Sequence, residues 1–227
     1  MKRESLDDLV KRRIEFLTLY QNAAYAQRYK AFVDKVRARE SALGKTLLAE
    51  SVARYLFKLM AYKDEYEVAR LHTDSSFLKR VNDMFEGDFK LNYHLAPPLL
   101  AKRNEKGELQ KQKFGPGVLT AMRVLARLKG LRGTAWDLFG RTDERREERA
   151  LVVDYMASVD EVLKTLDAAN LEAAVEVARL PELIRGYGHV KARNLAAVRV
   201  QWQACMDRWR APAAQPSDSQ MVGVARA

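Results

Sequence analysis

Apolar residues recur every three to four positions along most of the chain, which is the spacing of helices that bury one face. At the amino terminus, Ser5 followed by Asp8 is typical of a helix start. The stripe that follows predicts a long helix over residues 5–40 with a bend near Asn22, and Gly44 ends it. Its apolar positions are Leu6, Leu9, Val10, Ile14, Leu17, Tyr20, Phe32, Val33 and Val36.

The same periodicity predicts two further helices before residue 88. One begins at Thr46 and continues to about Leu71. A shorter helix fits Ser75 to Phe85, because Thr73 or Asp74 can cap it and Gly87 can stop it. The apolar positions of the first of these are Leu47, Leu48, Val52, Tyr55, Leu56, Leu59, Met60, Tyr66, Ala69 and Leu71.

The pattern then changes from helical to strand-like. Residues 89–95 alternate apolar and polar side chains, which predicts a strand with one buried face. Pro97 and Pro98 end strand pairing, because proline has no backbone N–H to donate. A turn at residues 104–107 and a return segment at residues 109–114 complete the interpretation. We therefore expect a small β-hairpin-like insertion around residues 88–114.

Helical spacing returns over residues 116–210. One predicted helix begins at Gly115-Pro116-Gly117 and ends near Gly130 or Gly133. The others run from Thr142 to about Leu166, from Asn170 to about Leu180 and from His189 to about Trp209. Residues 211–227 are small, polar and proline-containing, so we expect a disordered tail. The predicted fold class is mainly α, with a single multi-helix domain over residues 1–210.

Composition limits the chemistry that the chain can perform. Hydrophobic residues make up 48% and charged residues 31% of the 227 residues, which is typical of a folded globular protein. A single cysteine, Cys205, excludes an internal disulfide, a structural zinc site and a four-thiolate iron–sulfur cluster. No run of about 18 apolar residues and no signal-peptide pattern occurs. We therefore expect a cytoplasmic protein without a membrane partner.

The net charge of +10 is concentrated in one segment. Residues 102–132 contain nine cations and two anions. Such a basic block attracts an acidic protein, a phosphorylated cofactor or a nucleic acid, and a solvated basic face is the equally weighted alternative. Arg123, Arg127 and Lys129 are the candidate contact residues in this block.

The segment Arg185-Gly-Tyr-Gly-His-Val-Lys191 is the most promising local site. Its two glycines permit a tight turn or a close approach of the backbone. Arg185, His189 and Lys191 place three potential donors around that turn, beside the positive end of a helix. The prediction is a contact for an anion or a partner protein, and the alternative is a structural turn with Tyr187 in the core. No metal ligand is predicted, because the three histidines lack partners at ligand spacing. No catalytic residue is predicted either, because the sequence shows no nucleophile–base pair.

Several uncommon strings resemble a known family. They are Tyr62-Lys-Asp-Glu-Tyr-Glu-Val-Ala-Arg-Leu71, Tyr93-His-Leu-Ala-Pro-Pro-Leu-Leu100, Leu131-Arg-Gly-Thr134 and the Arg185–Lys191 segment, joined by Tyr55-Leu-Phe-Lys-Leu-Met60 and Phe139-Gly-Arg-Thr-Asp-Glu-Arg145. In this order they resemble the C-terminal, mostly helical segment of the long, single-chain indolepyruvate:ferredoxin oxidoreductases, in the 2-oxoacid:ferredoxin oxidoreductase superfamily. The resemblance covers about Ser5 to Trp209.

The resemblance implies a system that oxidatively decarboxylates aryl pyruvates to aryl-acetyl-CoA and reduces ferredoxin. That system uses thiamine diphosphate, iron–sulfur clusters and coenzyme A, but its cofactor motifs lie outside the matching region, so no catalytic residue is carried over. The expected role is a non-catalytic auxiliary domain or subunit that binds no cofactor itself. It is either a separately encoded subunit or the terminal part of a longer enzyme, and its expected partners are the catalytic domains and ferredoxin.

One alternative comes from a different functional class. The basic block is compatible with a freestanding helical module that binds nucleic acid or another partner. The chain lacks a helix-turn-helix pattern with a polar recognition helix, so the sequence favours the oxidoreductase interpretation over this one.

Overall fold

The structure is a computed structural model that describes residues 4–87, 89–95, 110–186 and 188–211. These residues form a mainly helical fold with one small antiparallel hairpin, as the sequence predicts. In chain order the elements are α1 Leu6–Tyr20, α2 Ala23–Ser41, α3 Leu47–Met60, α4 Glu65–Thr73, α5 Ser75–Met84, β1 Tyr93–Leu95, β2 Gln112–Phe114, α6 Val118–Arg127, α7 Asp143–Lys164, α8 Leu171–Arg179 and α9 Gly188–Arg210, with short 3-10 turns at Leu128–Leu131 and Leu180–Leu183.

The predicted long helix over residues 5–40 is wrong: the segment forms two antiparallel helices, α1 and α2. Asn22 is extended, and its side-chain oxygen accepts the backbone N–H of Tyr25 at 2.8 Å, which starts a new helix. Arg37 near the end of α2 donates to Asp7 at the start of α1 at 2.5 Å, so α2 runs back along α1. The apolar stripe alone could not separate a bend from a reversal, because both helices bury the same kind of face.

The predicted helix from Thr46 to Leu71 is also divided. Helix α3 ends at Met60, and α4 begins at Glu65. Asp64 lies between them in an extended conformation, and its carboxylate accepts the backbone N–H of Glu67 at 2.8 Å. An aspartate in this position satisfies N–H groups that a helix start leaves free, so Asp64 begins α4.

The start of α3 is capped from another helix. Thr46 makes no capping hydrogen bond. The fully buried carboxylate of Glu40, in α2, instead accepts the backbone N–H groups of Leu48 and Ala49, each at 2.8 Å. A negative group at a helix amino end is stabilised by the helix dipole, so Glu40 joins α2 to α3.

The β element is present but shorter than predicted. Strands β1 and β2 pair antiparallel, with Tyr93 opposite Phe114 and Leu95 opposite Gln112. The predicted strand over residues 89–95 therefore keeps only its last three residues. Residues 88 and 96–109 of the predicted insertion lie outside the described residues.

Most helices share one hydrophobic core. It combines buried residues of α1–α3 with residues of α7–α9. A smaller core lies between α4, β1 and α6, where Ala69, Tyr93 and Met122 are buried together. Among the described helices, none combines the length and the apolar character that crossing a membrane requires. The predicted tail lies outside the described residues from position 212 onward.

Candidate functional site

A buried ion pair connects three distant parts of the chain. The carboxylate of Asp64 accepts hydrogen bonds from Arg132 Nε at 2.5 Å and Nη2 at 2.8 Å. Arg132 Nη1 also donates to the backbone oxygen of Tyr20 at 2.6 Å. Only 2% of the Arg132 side chain and 3% of the Asp64 side chain are exposed. Arg132, which the sequence placed in a surface basic block, is therefore a structural residue.

Aromatic rings enclose the guanidinium of Arg132. Its central carbon lies 3.7 Å from the ring centroid of Tyr20 and 5.4 Å from that of Tyr66. The Tyr20 hydroxyl donates to the backbone oxygen of Tyr62 at 2.9 Å. Burial raises the pKa of Tyr20, so this hydroxyl keeps its proton and remains a donor. Desolvated cation–π contacts of this kind add to the ion pair.

A tight loop follows Arg132, and Asp137 holds it together. The buried Asp137 carboxylate accepts the backbone N–H of Gly133 at 2.7 Å, the N–H of Gly140 at 2.9 Å and the hydroxyl of Tyr66 at 3.2 Å. A Cβ atom at Gly140 would lie 2.1 Å from Asp137 Oδ2, so the loop closes only with glycine there. These contacts fix residues 133–140 against α4, and Arg149 of α7 adds a hydrogen bond to the Gly140 carbonyl at 2.6 Å.

The loop displays two apolar side chains to solvent. Trp136 is 80% exposed and Leu138 is 57% exposed. Arg141 lies beside them and donates to the backbone oxygen of Ala135 at 3.0 Å, and Arg146 donates to the oxygen of Arg141 at 2.8 Å. We call Trp136, Leu138, Arg141 and Arg146 the Trp136 surface.

A second feature is a cleft of about 350 Å³ between the end of α3, the first turns of α7 and the segment before α9. We call it the basic cleft, because five cationic side chains and two carboxylates line it. The cationic residues are Lys58, Lys63, Arg145, Arg185 and Lys191, and the acidic residues are Glu144 and Glu148. Its apolar wall consists of Leu59, Tyr62, Leu151 and Ile184.

Hydrogen bonds position several of the cations. Lys58 Nζ donates to the backbone oxygens of Pro181 at 2.7 Å and Glu182 at 3.1 Å. The nearly buried Glu148 pairs with Lys191, and Arg145 Nη1 lies 3.8 Å from the same carboxylate oxygen. Burial first, and then the neighbouring charges of Arg185 and Lys191, lower the pKa of Lys58.

The turn at Gly186 brings Arg185 and Lys191 to the same cleft. Gly186 has a φ of 97°, and a Cβ atom there would lie 2.7 Å from a methyl carbon of Val190. Gly188 also has a positive φ, of 53°. Both glycines therefore adopt the backbone geometry that the sequence pattern predicts for a tight turn. Tyr187 and the side chain of His189 lie outside the described part of the structure.

The predicted contact residues of the basic block are not brought together with this cleft. Arg123 and Arg127 lie exposed on α6, which packs against α4. Lys129 donates to the backbone oxygen of Leu19 at 2.5 Å, so its ammonium group neutralises the carboxyl end of α1. Burial lowers the pKa of Lys129. Residues 102–109 of the block lie outside the described residues.

Sequence reasoning missed Lys58, Lys63, Arg145 and Trp136. Lys58, Lys63 and Arg145 fall within the uncommon strings of the sequence, and this was the available signal for them. Trp136 had a weaker signal: a tryptophan in a segment that contains Gly133 and Gly140 does not fit a helical stripe. Within the described residues, no three His, Cys, Asp or Glu side chains are grouped so that they could hold a metal ion.

Three of the uncommon sequence strings meet at the Asp64–Arg132 pair and the loop that follows it. The string at 62–71 supplies Asp64 and Tyr66, the one at 131–134 supplies Arg132, and the one at 139–145 closes the loop. No curated protein and no solved structure matches the chain significantly. A family model matches residues 6–204, which is most of the chain, and the protein therefore belongs to the family of unknown function DUF6537.

Proposed function

We propose that this chain is a non-catalytic auxiliary domain or subunit of an indolepyruvate ferredoxin oxidoreductase. In this role it docks on the catalytic part through the Trp136 surface. The resemblance over about Ser5 to Trp209 supplies the identity of the system. Thiamine diphosphate, the iron–sulfur clusters and coenzyme A would be held by the catalytic part, which converts aryl pyruvates to aryl-acetyl-CoA.

The exposed indole of Trp136 is the observation that supports docking. Tryptophan is strongly enriched among the residues that dominate binding energy at protein interfaces. Here it is 80% exposed on a loop whose neighbours, Asp137 and Gly140, are buried and hydrogen bonded. A side chain presented by a fixed loop loses little conformational entropy on binding, so it is suited to a partner.

The charge around Trp136 indicates what that partner surface contains. Arg141 and Arg146 flank the loop, and Asp143, the partner of Arg146 at 3.3 Å, is almost fully exposed. An exposed pair of this kind contributes little to stability, so the guanidinium of Arg146 can exchange Asp143 for a carboxylate on a partner. The guanidinium of Arg141 donates one N–H to the Ala135 carbonyl and has further N–H groups that a partner carboxylate could accept. The matching surface would therefore combine an apolar pocket for Trp136 with acidic residues at its rim.

The test measures binding between this chain and the catalytic part of the oxidoreductase, produced separately. We expect a stable complex, and we expect Trp136→Ala to weaken it by about thirtyfold or more, because a hot-spot side chain contributes at least ~2 kcal/mol. Val200→Ala is the matched control, since Val200 is also an exposed apolar residue, on α9.

The outcomes of this experiment test the auxiliary role and the Trp136 docking surface separately. If no complex forms, and adding the chain leaves indolepyruvate oxidation by the catalytic part unchanged, the auxiliary role is rejected. If a complex forms and Trp136→Ala binds as tightly as the unmodified chain, only the docking surface is rejected.

Ferredoxin is a second proposed partner, and Arg123 and Arg127 are its candidate contacts. Both are exposed on α6, and ferredoxins are typically acidic. Changing both to Gln would slow ferredoxin reduction at low salt and reduce its salt dependence, because exposed rim charges mainly speed encounter. Unchanged rates of ferredoxin reduction would exclude this contact. Binding of random DNA by the chain alone would instead favour the nucleic-acid alternative.

A further inference from the structure

The basic cleft holds more positive charge than its own carboxylates neutralise. Five cationic and two acidic side chains line it. Glu148 is shared between Lys191 and Arg145, and Glu65 provides Arg145 with a second, shorter contact at 3.5 Å, against 3.8 Å for Glu148. Glu148, which lines the cleft, and Glu65, which does not, therefore pair closely with only two of the five cations, Lys191 and Arg145.

The other three cations lack a close carboxylate partner within the described residues. Lys58 donates only to backbone oxygens. Arg185 lies 3.9 Å from the nearest oxygen of Glu182 and is 72% exposed, and Lys63 is exposed. The positive charges of Arg185 and Lys191 also lower the pKa of Lys58, although less than burial does, and Glu182 opposes them, so Lys58 lies in a positive environment that its neighbours compensate only in part.

We infer that the basic cleft is a binding site for a small organic anion, which it holds by a diphosphate or a similarly charged phosphate group. The volume of about 350 Å³ is within the range of small-molecule sites. The cations would contact the phosphate oxygens, and the wall of Leu59, Tyr62, Leu151 and Ile184 would contact an apolar part of the ligand.

The amount of charge favours phosphate over a single carboxylate. The lining contains three more cationic than acidic side chains. One phosphate group carries about −1.5 to −2 charge at pH 7, and a diphosphate carries more. Glu65, outside the lining, offsets part of this excess at Arg145, and Glu182 is held mainly by Arg179 at 3.0 Å, so more positive charge remains than a monocarboxylate would compensate. Arginine and lysine are also the side chains that proteins use to hold phosphate oxygens.

The cleft is prepared for such a ligand before it binds. Lys58 is fixed by the 3-10 turn at Leu180–Leu183, and Lys191 is fixed by Glu148. Gly186 keeps Arg185 next to the first turn of α9. Little ordering would therefore accompany binding, apart from Lys63 and Arg185, which are exposed at the rim. The basic cleft lies within this chain, so its binding of an anion is independent of the proposed function.

The test titrates inorganic pyrophosphate, ADP and sodium benzoate into the purified chain at low salt, with calorimetry as the measurement. We expect pyrophosphate and ADP to bind and benzoate not to bind. The double variant Lys63→Ala/Arg185→Ala should bind pyrophosphate at least about tenfold more weakly, because each hydrogen bond to a charged group contributes ~1.5–3 kcal/mol. Both residues are exposed, so this variant should fold normally.

A matched double variant separates a site from general attraction by a basic protein. Lys35→Ala/Arg37→Ala removes the same charge from α2, where the two residues pair with Asp160 and Asp7. We expect it to bind pyrophosphate like the unmodified chain. The inference is wrong if pyrophosphate does not bind at millimolar concentration, if both double variants weaken it equally, or if benzoate binds as tightly.

Discussion

Arg132 and Asp64 form a two-point ion pair that is almost completely buried, although the two residues lie 68 positions apart in the chain. Asp64 begins α4, and Arg132 reaches it from the turn that follows α6. The same guanidinium donates to the end of α1 through the Tyr20 carbonyl. The pair therefore fixes the smaller core against α1 and sets the position of the loop that carries Trp136.

Replacing Arg132 by Met should strongly destabilise the protein. Removing one member of a buried ion pair leaves the other charge unpaired, which costs about 3–5 kcal/mol. Adding Asp64→Asn to Arg132→Met should recover part of the loss, because an asparagine can still cap α4 and carries no charge. Urea denaturation of the single and double variants measures both effects.

Arg127→Met is the control for this comparison, since Arg127 is exposed on α6. Its effect on the free energy of unfolding should stay within about 0.5 kcal/mol. A loss of under about 1 kcal/mol for Arg132→Met would contradict the structural role that we assign to the pair.

The helices were largely predictable because their signals are local. Asp74 and Thr142 cap α5 and α7 at the positions that the sequence predicts, through hydrogen bonds to residues two or three positions ahead. The reversal at Asn22 and the break before Asp64 were not predictable from periodicity. Both depend on which helix each apolar stripe packs against, and this is a tertiary property.

The candidate site was predictable only in part, for a related reason. Arg185 and Lys191 could be named because one glycine turn brings them together. Lys58, Lys63 and Arg145 reach the same cleft from other elements, and no spacing in the sequence connects them. For Arg132 the sequence prediction failed in the opposite direction. A run of basic residues indicates an exposed surface, yet Arg132 is buried against Asp64. Asp64 lies in a segment for which the periodicity predicted an uninterrupted helix.

Glu40 provides a second prediction, on the capping of α3. Glu40→Ala removes a buried carboxylate that accepts two backbone N–H groups, so it should cost about 2 kcal/mol or more. Thr46→Ala should change the free energy of unfolding by less than about 0.5 kcal/mol, because Thr46 makes no capping bond. Equal losses in urea denaturation would contradict the assignment of the α3 cap to Glu40 alone.

Glu65 provides a prediction on pH dependence. Its Oε2 is buried without a hydrogen-bond partner, and its Oε1 is 3.5 Å from Arg145. Burial raises the pKa of Glu65 above its ordinary value of 4.5, and the charge of Arg145 offsets this only in part. Between 4.5 and that raised pKa, the folded state binds more protons than the unfolded state, so stability falls as the pH increases.

Glu65→Gln removes the titrating carboxyl group and should make the free energy of unfolding less dependent on pH. The free energy of unfolding of the unmodified chain, relative to Glu65→Gln, should be highest below pH 4.5 and should fall toward a lower plateau above the raised pKa. Urea denaturation of both proteins across this range measures the difference, and Glu15→Gln on α1 controls for the change in net charge. Parallel curves of unfolding free energy against pH for the two proteins would contradict the raised pKa of Glu65. If the stability of the unmodified chain relative to Glu65→Gln increased with pH, the charge of Arg145 would outweigh the effect of burial.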